Sequence, residues 1–306
     1  MRLPISTSKA FRIFLVSCIF CCQWQPVNAG PKDSIYYSTQ QSAAQFIDGI
    51  HNLSKSVSWP GIDPDLFLDN LKLNVHEPLS FYPGRSTNFC GYGALSYLMI
   101  KQDPLGYARF MLDLYRNGKA TYRATHFTPS APVRRAAGTL KFKGVLDIRH
   151  AEQMWFLVLA DHYKGYLNIF NRAYDTGDEN AFWAATNFAK FNRMVKRMIG
   201  YKVHAVGSDL IRPWKSDLYE YILGEMPKGI VVVYLNNRVI HKKNHTQVKL
   251  SFPTHFVILE KLVRDGDLIT FQYWDYGSRT VKQVTPNTFK RLIYGVSTCT
   301  KPAEND

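Results

Sequence analysis

The order of the periodic segments restricts the fold most strongly, because helical patterns come first along the chain and strand patterns come last. Apolar residues recur every three or four positions in segments at 41–53, 90–100, 107–115, 151–170 and 179–199. Strand patterns rich in β-branched and aromatic residues follow at 229–235, 254–262, 268–274 and 280–284. This order predicts an α+β fold rather than alternating βαβ units.

The first 29 residues have the features of a secretory signal peptide. Positive charges come first, an apolar stretch follows at 13–22, and a small-residue cleavage site ends at Ala29. We therefore expect cleavage after Ala29 and export to the periplasm or the cell exterior. The tetrapeptide that ends at Cys18 resembles a lipobox, so a lipoprotein anchored through Cys18 is the second interpretation. After residue 29, no apolar run approaches the roughly 20 residues that span a bilayer.

Composition is that of an ordinary globular protein, since 46% of the 306 residues are hydrophobic and 20% are charged. That supplies enough apolar side chain for a packed core and argues against disorder. The formal net charge of +14 favours anionic partners, for example cell-envelope material. Lysine and arginine are scattered and no nucleic-acid motif is present, so we do not expect specific nucleic-acid binding.

No sequence motif indicates a metal or another cofactor. His241 and His245 have a metal-compatible spacing, but Lys242 and Lys243 lie between them and no acidic or cysteine ligand is near in the sequence. We interpret that segment as an exposed hairpin tip, and we expect neither a metal site nor a cofactor.

Cysteine usage singles out Cys90. Three of the five cysteines lie in the expected signal peptide, which leaves Cys90 and Cys299. A disulfide between these two is the structural alternative to a reactive thiol. Cys90 follows a polar loop at 86–89 and opens an apolar helical segment. The N–H groups and dipole of a helix N-terminus favour a thiolate and can stabilise an oxyanion, and Gly91 leaves room there for a substrate backbone.

His255 and Asp275 are the candidate partners of Cys90. His255 opens one strand pattern and Asp275 closes the next, with a turn signal between them. A two-residue turn at 265–266 would put Asp275 on the wrong face of the hairpin. A three-residue loop at 264–266 would put His255 directly opposite Asp275, with Cβ atoms about 4.5–5.5 Å apart. The contact therefore depends on the turn type.

A thiol, an imidazole and a carboxylate are the groups that nucleophilic cysteine catalysis requires. The imidazole of His255 would accept the proton of Cys90 and later protonate the leaving group. The carboxylate of Asp275, on the far ring nitrogen, would fix the tautomer and stabilise the imidazolium. The structural alternatives are a histidine satisfied at a strand end and an aspartate that ends a strand. We predict the catalytic triad Cys90, His255 and Asp275.

These residues resemble the papain-like cysteine peptidase superfamily. The likeness rests on the tetrapeptide 88–91 before a helix, on 255–258 in a strand and on Asp275 at the end of the next strand. It is nearest to the branch that processes bacteriocin leaders and to related exported peptidase-like proteins. The resemblance implies a nucleophile helix packed on an antiparallel sheet, with Cys90 as nucleophile, His255 as general base and Asp275 as orienting carboxylate.

The oxyanion hole is the point at which the sequence departs from that superfamily. Its members usually carry a glutamine a few residues before the cysteine, and residues 83–89 contain none. Asn88, Thr87 and Ser86 are candidate substitutes. We take Asn88 and Gly91 as the candidate oxyanion-hole residues.

The expected organisation is a signal peptide at 1–29, an N-terminal lead-in at 30–84 and a papain-like catalytic domain at 85–306, with a helical insertion at about 103–226. The expected function is that of an exported cysteine-dependent hydrolase acting on a peptide or protein. Two alternatives stay open. One is a transglutaminase-like or acyl-transferring enzyme on the same fold, and the other is a catalytically inactive secreted binding protein, which the missing glutamine favours.

Overall fold

The computed structural model describes residues 38–84, 87–140, 148–164, 172–236, 255–275 and 277–302. The expected signal peptide, Cys18 with it, and the segment of His241 and His245 lie outside the described residues. Tyr37–Asp306 form one compact unit. The boundary at residue 84, between the expected lead-in and the expected catalytic domain, lies inside this unit.

In the described part of the chain, helices predominate over strands before residue 230, and strands predominate over helices after it. The helices are α1 (Gln40–Asp48), α2 (Pro64–His76), α3 (Cys90–Gln102), α4 (Pro104–Asn117), α5 (Ala131–Ala136), α6 (His150–His162), α7 (Phe188–Met194), α8 (Leu218–Glu225) and α9 (Pro286–Leu292). The strands are β1 (Ala120–Tyr122), β2 (Thr125–Phe127), β3 (Lys202–Gly207), β4 (Ile230–Leu235), β5 (His255–Asp265), β6 (Leu268–Asp275), β7 (Ser278–Val284) and β8 (Ile293–Thr300). Within the described ranges, no helix is long and apolar enough to cross a membrane.

Six of these strands form one antiparallel sheet in the order β3-β8-β4-β5-β6-β7. Alternate side chains of a strand point to opposite faces, and β5 shows this clearly. Phe256 and Ile258 belong to the large core formed with the helices, whereas Val257 and Leu259 belong to a second core that includes side chains of α8 and α9. The α+β class with an antiparallel sheet is therefore confirmed.

Helix α3 is enclosed by other elements because its sequence is apolar around the whole helix, a pattern typical of a buried helix. Apart from Lys101, every residue from Cys90 to Gln102 is buried. The helix packs on β5 and against α4 and α6. Tyr97 stacks on Trp274 of β6, with ring centroids 5.0 Å apart. This packing brings the N-terminus of α3 to the start of β5.

Two predicted helices differ from the observed ones. The pattern at 151–170 is helical over His150–His162, and residues 165–171 lie outside the described part of the chain. The pattern at 179–199 begins as an α-helix only at Phe188, because the side chain of Asn187 accepts the N–H of Lys190 at 2.7 Å and caps the helix there. A one-turn 3₁₀ helix, Asp178–Asn180, precedes it.

Two strands of the sheet were not predicted. Strand β3 lies inside the expected helical insertion at 103–226, yet it forms an edge of the main sheet. Strand β8 lies between β3 and β4 and follows α9 with no residue between them. Its sequence includes Gly295, Ser297 and Thr298, and it is buried on both faces, so it lacks the alternation that marks a strand in sequence.

Candidate functional site

The hairpin that carries His255 and Asp275 has a different turn from the one expected to join them. Asp265 pairs with Leu268, so the loop consists of the two residues 266–267, and the three-residue loop at 264–266 is wrong. This register alone would place Asp275 opposite Ile258, on the other face from His255. A second feature of β5 restores the contact.

A β-bulge at Glu260 shifts the register of β5 by one residue. On the far side of the bulge Ile258 pairs with Trp274, so His255 and Asp275 lie on the same face as diagonal neighbours. The Nε2 atom of His255 is 2.5 Å from Oδ1 of Asp275. Both side chains are almost wholly buried, at 1% and 6% exposure. The predicted contact is present, through a bulge instead of a longer loop.

Two hydrogen bonds hold the side chain of Glu260 at the bulge. Its Oε2 atom accepts hydrogen bonds from Nε of Arg279, at 2.7 Å, and from Nε2 of Gln272, at 3.0 Å. Arg279 belongs to β7 and Gln272 to β6. Contacts from two other strands therefore stabilise the residue on which the His255–Asp275 contact depends.

Cys90 is the first residue of α3 and is 9% exposed. Among the described residues, no side chain caps this helix end, and the first N–H groups of a helix lack intrahelical acceptors. An electrostatic interaction joins Cys90 to His255. Because Asp275 binds Nε2, Nδ1 is the ring nitrogen that remains to exchange a proton with Cys90.

Electrostatics at His255 favour its charged form. Burial alone would lower the pKa of His255, but the carboxylate of Asp275 and the thiol of Cys90 raise it well above its ordinary value, to about 10. The raised pKa therefore favours the charged form of the His255 ring, close to the sulfur of Cys90. A cation next to a cysteine favours the thiolate.

Asn88, one of the two candidate oxyanion-hole residues, has other observed contacts. Nδ2 of Asn88 donates to the carbonyl oxygen of Ala181 at 2.9 Å, and the Asn88 N–H donates to the carbonyl of Glu179 at 2.8 Å. These bonds tie the loop before Cys90 to residues 179–181. A role for Asn88 in an oxyanion hole stays a prediction.

The space beside Gly91 is filled by protein. A Cβ atom at Gly91 would lie 3.0 Å from Cβ of Thr186 and 3.3 Å from Cδ2 of Phe256. The expectation that Gly91 leaves room for a substrate backbone is therefore wrong. The missing side chain instead lets α3 approach β5 closely. The backbone N–H of Gly91 stays a predicted oxyanion donor.

A buried amine behind the nucleophile was missed by sequence analysis. Nζ of Lys190 donates to Oη of Tyr92 at 3.0 Å and to the carbonyl oxygen of Ala185 at 3.1 Å. Burial lowers the pKa of Lys190 to about 7. Tyr92 also interacts electrostatically with Cys90. The available signal was a lysine within an apolar helical pattern.

Cys90 and Cys299 are not joined by a disulfide. Both are thiols, so the structural alternative for Cys90 does not occur. Burial raises the pKa of Cys299 to about 12, which keeps that thiol protonated and unreactive. The two cysteines therefore differ in their surroundings, and Cys299 is an internal reference for the reactivity of Cys90.

Within the described ranges, no group of three or more histidine, cysteine, aspartate or glutamate side chains could hold a metal ion. Comparisons with protein-family models, with curated proteins and with solved structures found no match. The functional interpretation therefore depends on the residues and geometry described above.

Proposed function

We propose that this protein is a cysteine-dependent hydrolase that cleaves peptide or amide bonds with Cys90, His255 and Asp275. The observation that carries the proposal is that His255 is hydrogen-bonded to the carboxylate of Asp275 and also interacts electrostatically with Cys90, the first residue of a helix. A histidine that only ends a strand needs hydrogen-bond partners for its ring nitrogens but no thiol. A buried histidine between a carboxylate and a helix-terminal thiol is instead the arrangement that thiol catalysis requires.

The reaction would proceed in two steps. The Cys90 thiolate would attack the carbonyl carbon, and N–H groups of the first turn of α3 would stabilise the oxyanion. The imidazolium of His255 would protonate the departing amine, which leaves a thioester on the sulfur. Water would then attack the thioester while His255 takes one of its protons, and collapse would release the carboxylic acid and restore the Cys90 thiolate beside the imidazolium. Asp275 would keep the ring oriented throughout.

We also propose that the protein belongs with the papain-like cysteine peptidases and is exported. Support for the first point comes from the arrangement of elements: Cys90 begins a buried helix packed on an antiparallel sheet, His255 begins one strand of that sheet, and Asp275 ends the adjacent strand. Export is supported by the signal-peptide features of residues 1–29.

Alkylation with iodoacetamide tests for an activated thiol, with labelling at Cys90 and Cys299 followed separately by peptide mass. We expect Cys90 to react faster than Cys299 at neutral pH, and more slowly after His255→Ala. That variant also widens access to the sulfur, so a purely steric effect would increase labelling. His255→Gln, which nearly preserves volume, separates the two effects further. Equal or faster labelling of Cys90 in both variants would contradict the proposal.

Turnover is tested with a peptide library, using Cys90→Ala as the inactive control. We expect cleaved products and a Cys90 acyl-enzyme that is detectable by mass spectrometry. Added amine distinguishes the outcomes, since a transferase incorporates the amine whereas a hydrolase releases the acid. Ligand binding without turnover, unchanged by Cys90→Ala, would replace the enzyme with a binding protein.

A further inference from the structure

A loop at 208–217, between β3 and α8, presents large apolar side chains to solvent. Trp214 is 99% exposed, Leu210 is 75% exposed and Ile211 is 71% exposed. Single exposed apolar residues are common on protein surfaces, but three within five positions form a patch that calls for a partner. We name these three side chains the apolar tip.

The apolar tip is held in place by a set of hydrogen bonds. The N–H of Ser208 donates to the carbonyl of Ile211 at 2.8 Å, and Oγ of Ser208 accepts the N–H of Ile211, also at 2.8 Å. Nη2 of Arg212 donates to Oη of Tyr294 at 2.7 Å, and its guanidinium lies 4.3 Å from the centre of that ring. The loop is therefore held by defined hydrogen bonds, although its apolar side chains are exposed to solvent.

Positive charge surrounds the apolar tip. Arg212 and Lys215 lie within the loop, and Arg212 also donates through Nε to the carbonyl of Arg291, an exposed residue that adds another positive charge. The two acidic residues of the loop are engaged by the protein. Asp209 accepts the N–H of Phe188, and Asp217 caps α8 and pairs with Arg264. The surface available to a partner is therefore apolar at its tip and cationic at its base.

The loop leaves the sheet at the same end of the strands as the candidate catalytic residues. The register places Gly207, Leu235 and His255 at that end. β8 and β4 lie between β3 and β5, so the loop starts three strand spacings, roughly 14 Å, from His255. The loop ends at Asp217, which pairs with Arg264 at the other end of β5, but Arg212 is held against Arg291 and Tyr294 near the His255 end. A partner bound around Leu210 and Ile211 would therefore lie at the end of the sheet that carries His255.

We propose that residues 208–217 dock the protein on an anionic lipid bilayer. Tryptophan is favoured at the boundary of a bilayer, apolar side chains insert below it, and lysine and arginine bind anionic headgroups. A protein partner would need a pocket shaped to a tip that projects from the surface, whereas a fluid bilayer needs none. Docking would turn the end of the sheet that carries His255 towards the membrane. The importance of that orientation for catalysis rests on the proposed function.

Vesicle sedimentation of the full chain tests the proposal, with phosphatidylcholine vesicles that contain or lack about one-third phosphatidylglycerol. We expect binding to the anionic vesicles that weakens with added salt. A triple variant, Leu210→Ser with Ile211→Ser and Trp214→Ser, is expected to lower the partition coefficient about tenfold or more. Lys215→Glu is expected to weaken binding to the anionic vesicles alone.

Matched controls separate the contribution of the loop to vesicle binding from nonspecific binding by other exposed apolar residues. The N-terminal residues are the same in all variants, so they do not affect the comparison. Val57 and Val281 are exposed apolar residues elsewhere, at 98% and 59%, and their replacement with serine is expected to leave binding unchanged. Near-ultraviolet circular dichroism checks that each variant is folded. Brominated lipid is expected to quench the fluorescence of Trp214 in the wild type, and Trp214→Phe is expected to remove that quenching.

Two results would overturn the docking proposal. One is equal sedimentation of the wild type and the triple variant, and the other is no binding of the wild type to anionic vesicles, which would leave a protein as the partner of the tip. Cys90→Ala is expected to bind vesicles as the wild type does. Failure of the catalytic proposal is therefore distinguishable from failure of this one.

Discussion

Replacing Lys190 with methionine is expected to change how the stability of the protein depends on pH. Lys190 is 9% exposed, and its Nζ atom donates hydrogen bonds to Tyr92 and Ala185. Among the described residues, no carboxylate forms an ion pair with it. Burial without a countercharge disfavours the charged amine, which is why its pKa is lowered to about 7. Methionine has a similar shape and no charge, so it removes the titration while filling the same space.

The size of the effect follows from the two pKa values. A lysine in an unfolded chain has a pKa of about 10.4, so between about pH 7 and pH 10 the unfolded chain binds one proton more than the folded protein. Stability from this group therefore rises with pH in that window, by about 1.4 kcal/mol per pH unit. Below about pH 7 both states are charged and the full penalty of burial is present.

His255 acts in the opposite direction. Its folded pKa of about 10 lies above that of an unfolded histidine, so its contribution to stability is lost as pH rises from about 6.5 towards 10. The two slopes oppose each other in the wild type. Lys190→Met removes one of them, and the free energy of unfolding of the wild type relative to this variant is expected to grow by about 1.4 kcal/mol from pH 8 to pH 9.

Urea unfolding at several pH values, followed by near-ultraviolet circular dichroism, measures this difference. Lys196 is an exposed lysine shortly after α7, and Lys196→Met is the matched control, which should leave the slope unchanged. Other titrating groups are common to both proteins and cancel in the difference. Parallel stability curves for the wild type and Lys190→Met would refute the assignment of a neutral buried amine.

Two further substitutions test the packing and the electrostatics of the core. Gly91→Ala is expected to destabilise the protein by about 1–3 kcal/mol in urea unfolding and to slow the alkylation of Cys90, because the new methyl group would contact Thr186 at 3.0 Å. Gly224→Ala in α8, where no described atom lies within 4 Å of the added carbon, should be neutral or stabilising, and similar losses in both would contradict the packing argument. Burial raises the pKa of Glu152 to about 8, so its contribution to stability is lost as pH rises from about 4.3 to 8. Glu152→Gln is expected to flatten that fall in thermal melts, and an unchanged pH profile would be the contrary result.

Much of the site was predictable because its signals are local. The helix beginning at Cys90 follows from a polar loop followed by apolar residues, and the strands of His255 and Asp275 follow from their β-branched and aromatic residues. Antiparallel pairing of two strands joined by a short turn needs no information from elsewhere in the chain. The three residues of the proposed triad, and the elements that carry them, could therefore be predicted from the sequence.

The register of the hairpin could not be predicted in the same way. A turn and a bulge each shift the pairing by one residue, and only their sum decides whether His255 and Asp275 share a face. The bulge at Glu260 is stabilised by Arg279 from β7, a strand beyond the hairpin itself. The sequence of the hairpin alone does not contain that contact.

Packing between elements that are distant in sequence decided the remaining features. The space beside Gly91 is filled by Thr186 and Phe256. Lys190 is buried against Tyr92, almost a hundred residues away in the sequence. The α+β class and the elements that carry Cys90, His255 and Asp275 were determined by the sequence itself, through local backbone preference and hydrophobic periodicity. Only the tertiary structure decided the register, the space beside the nucleophile and the buried amine behind it, because each depends on contacts between segments far apart along the chain.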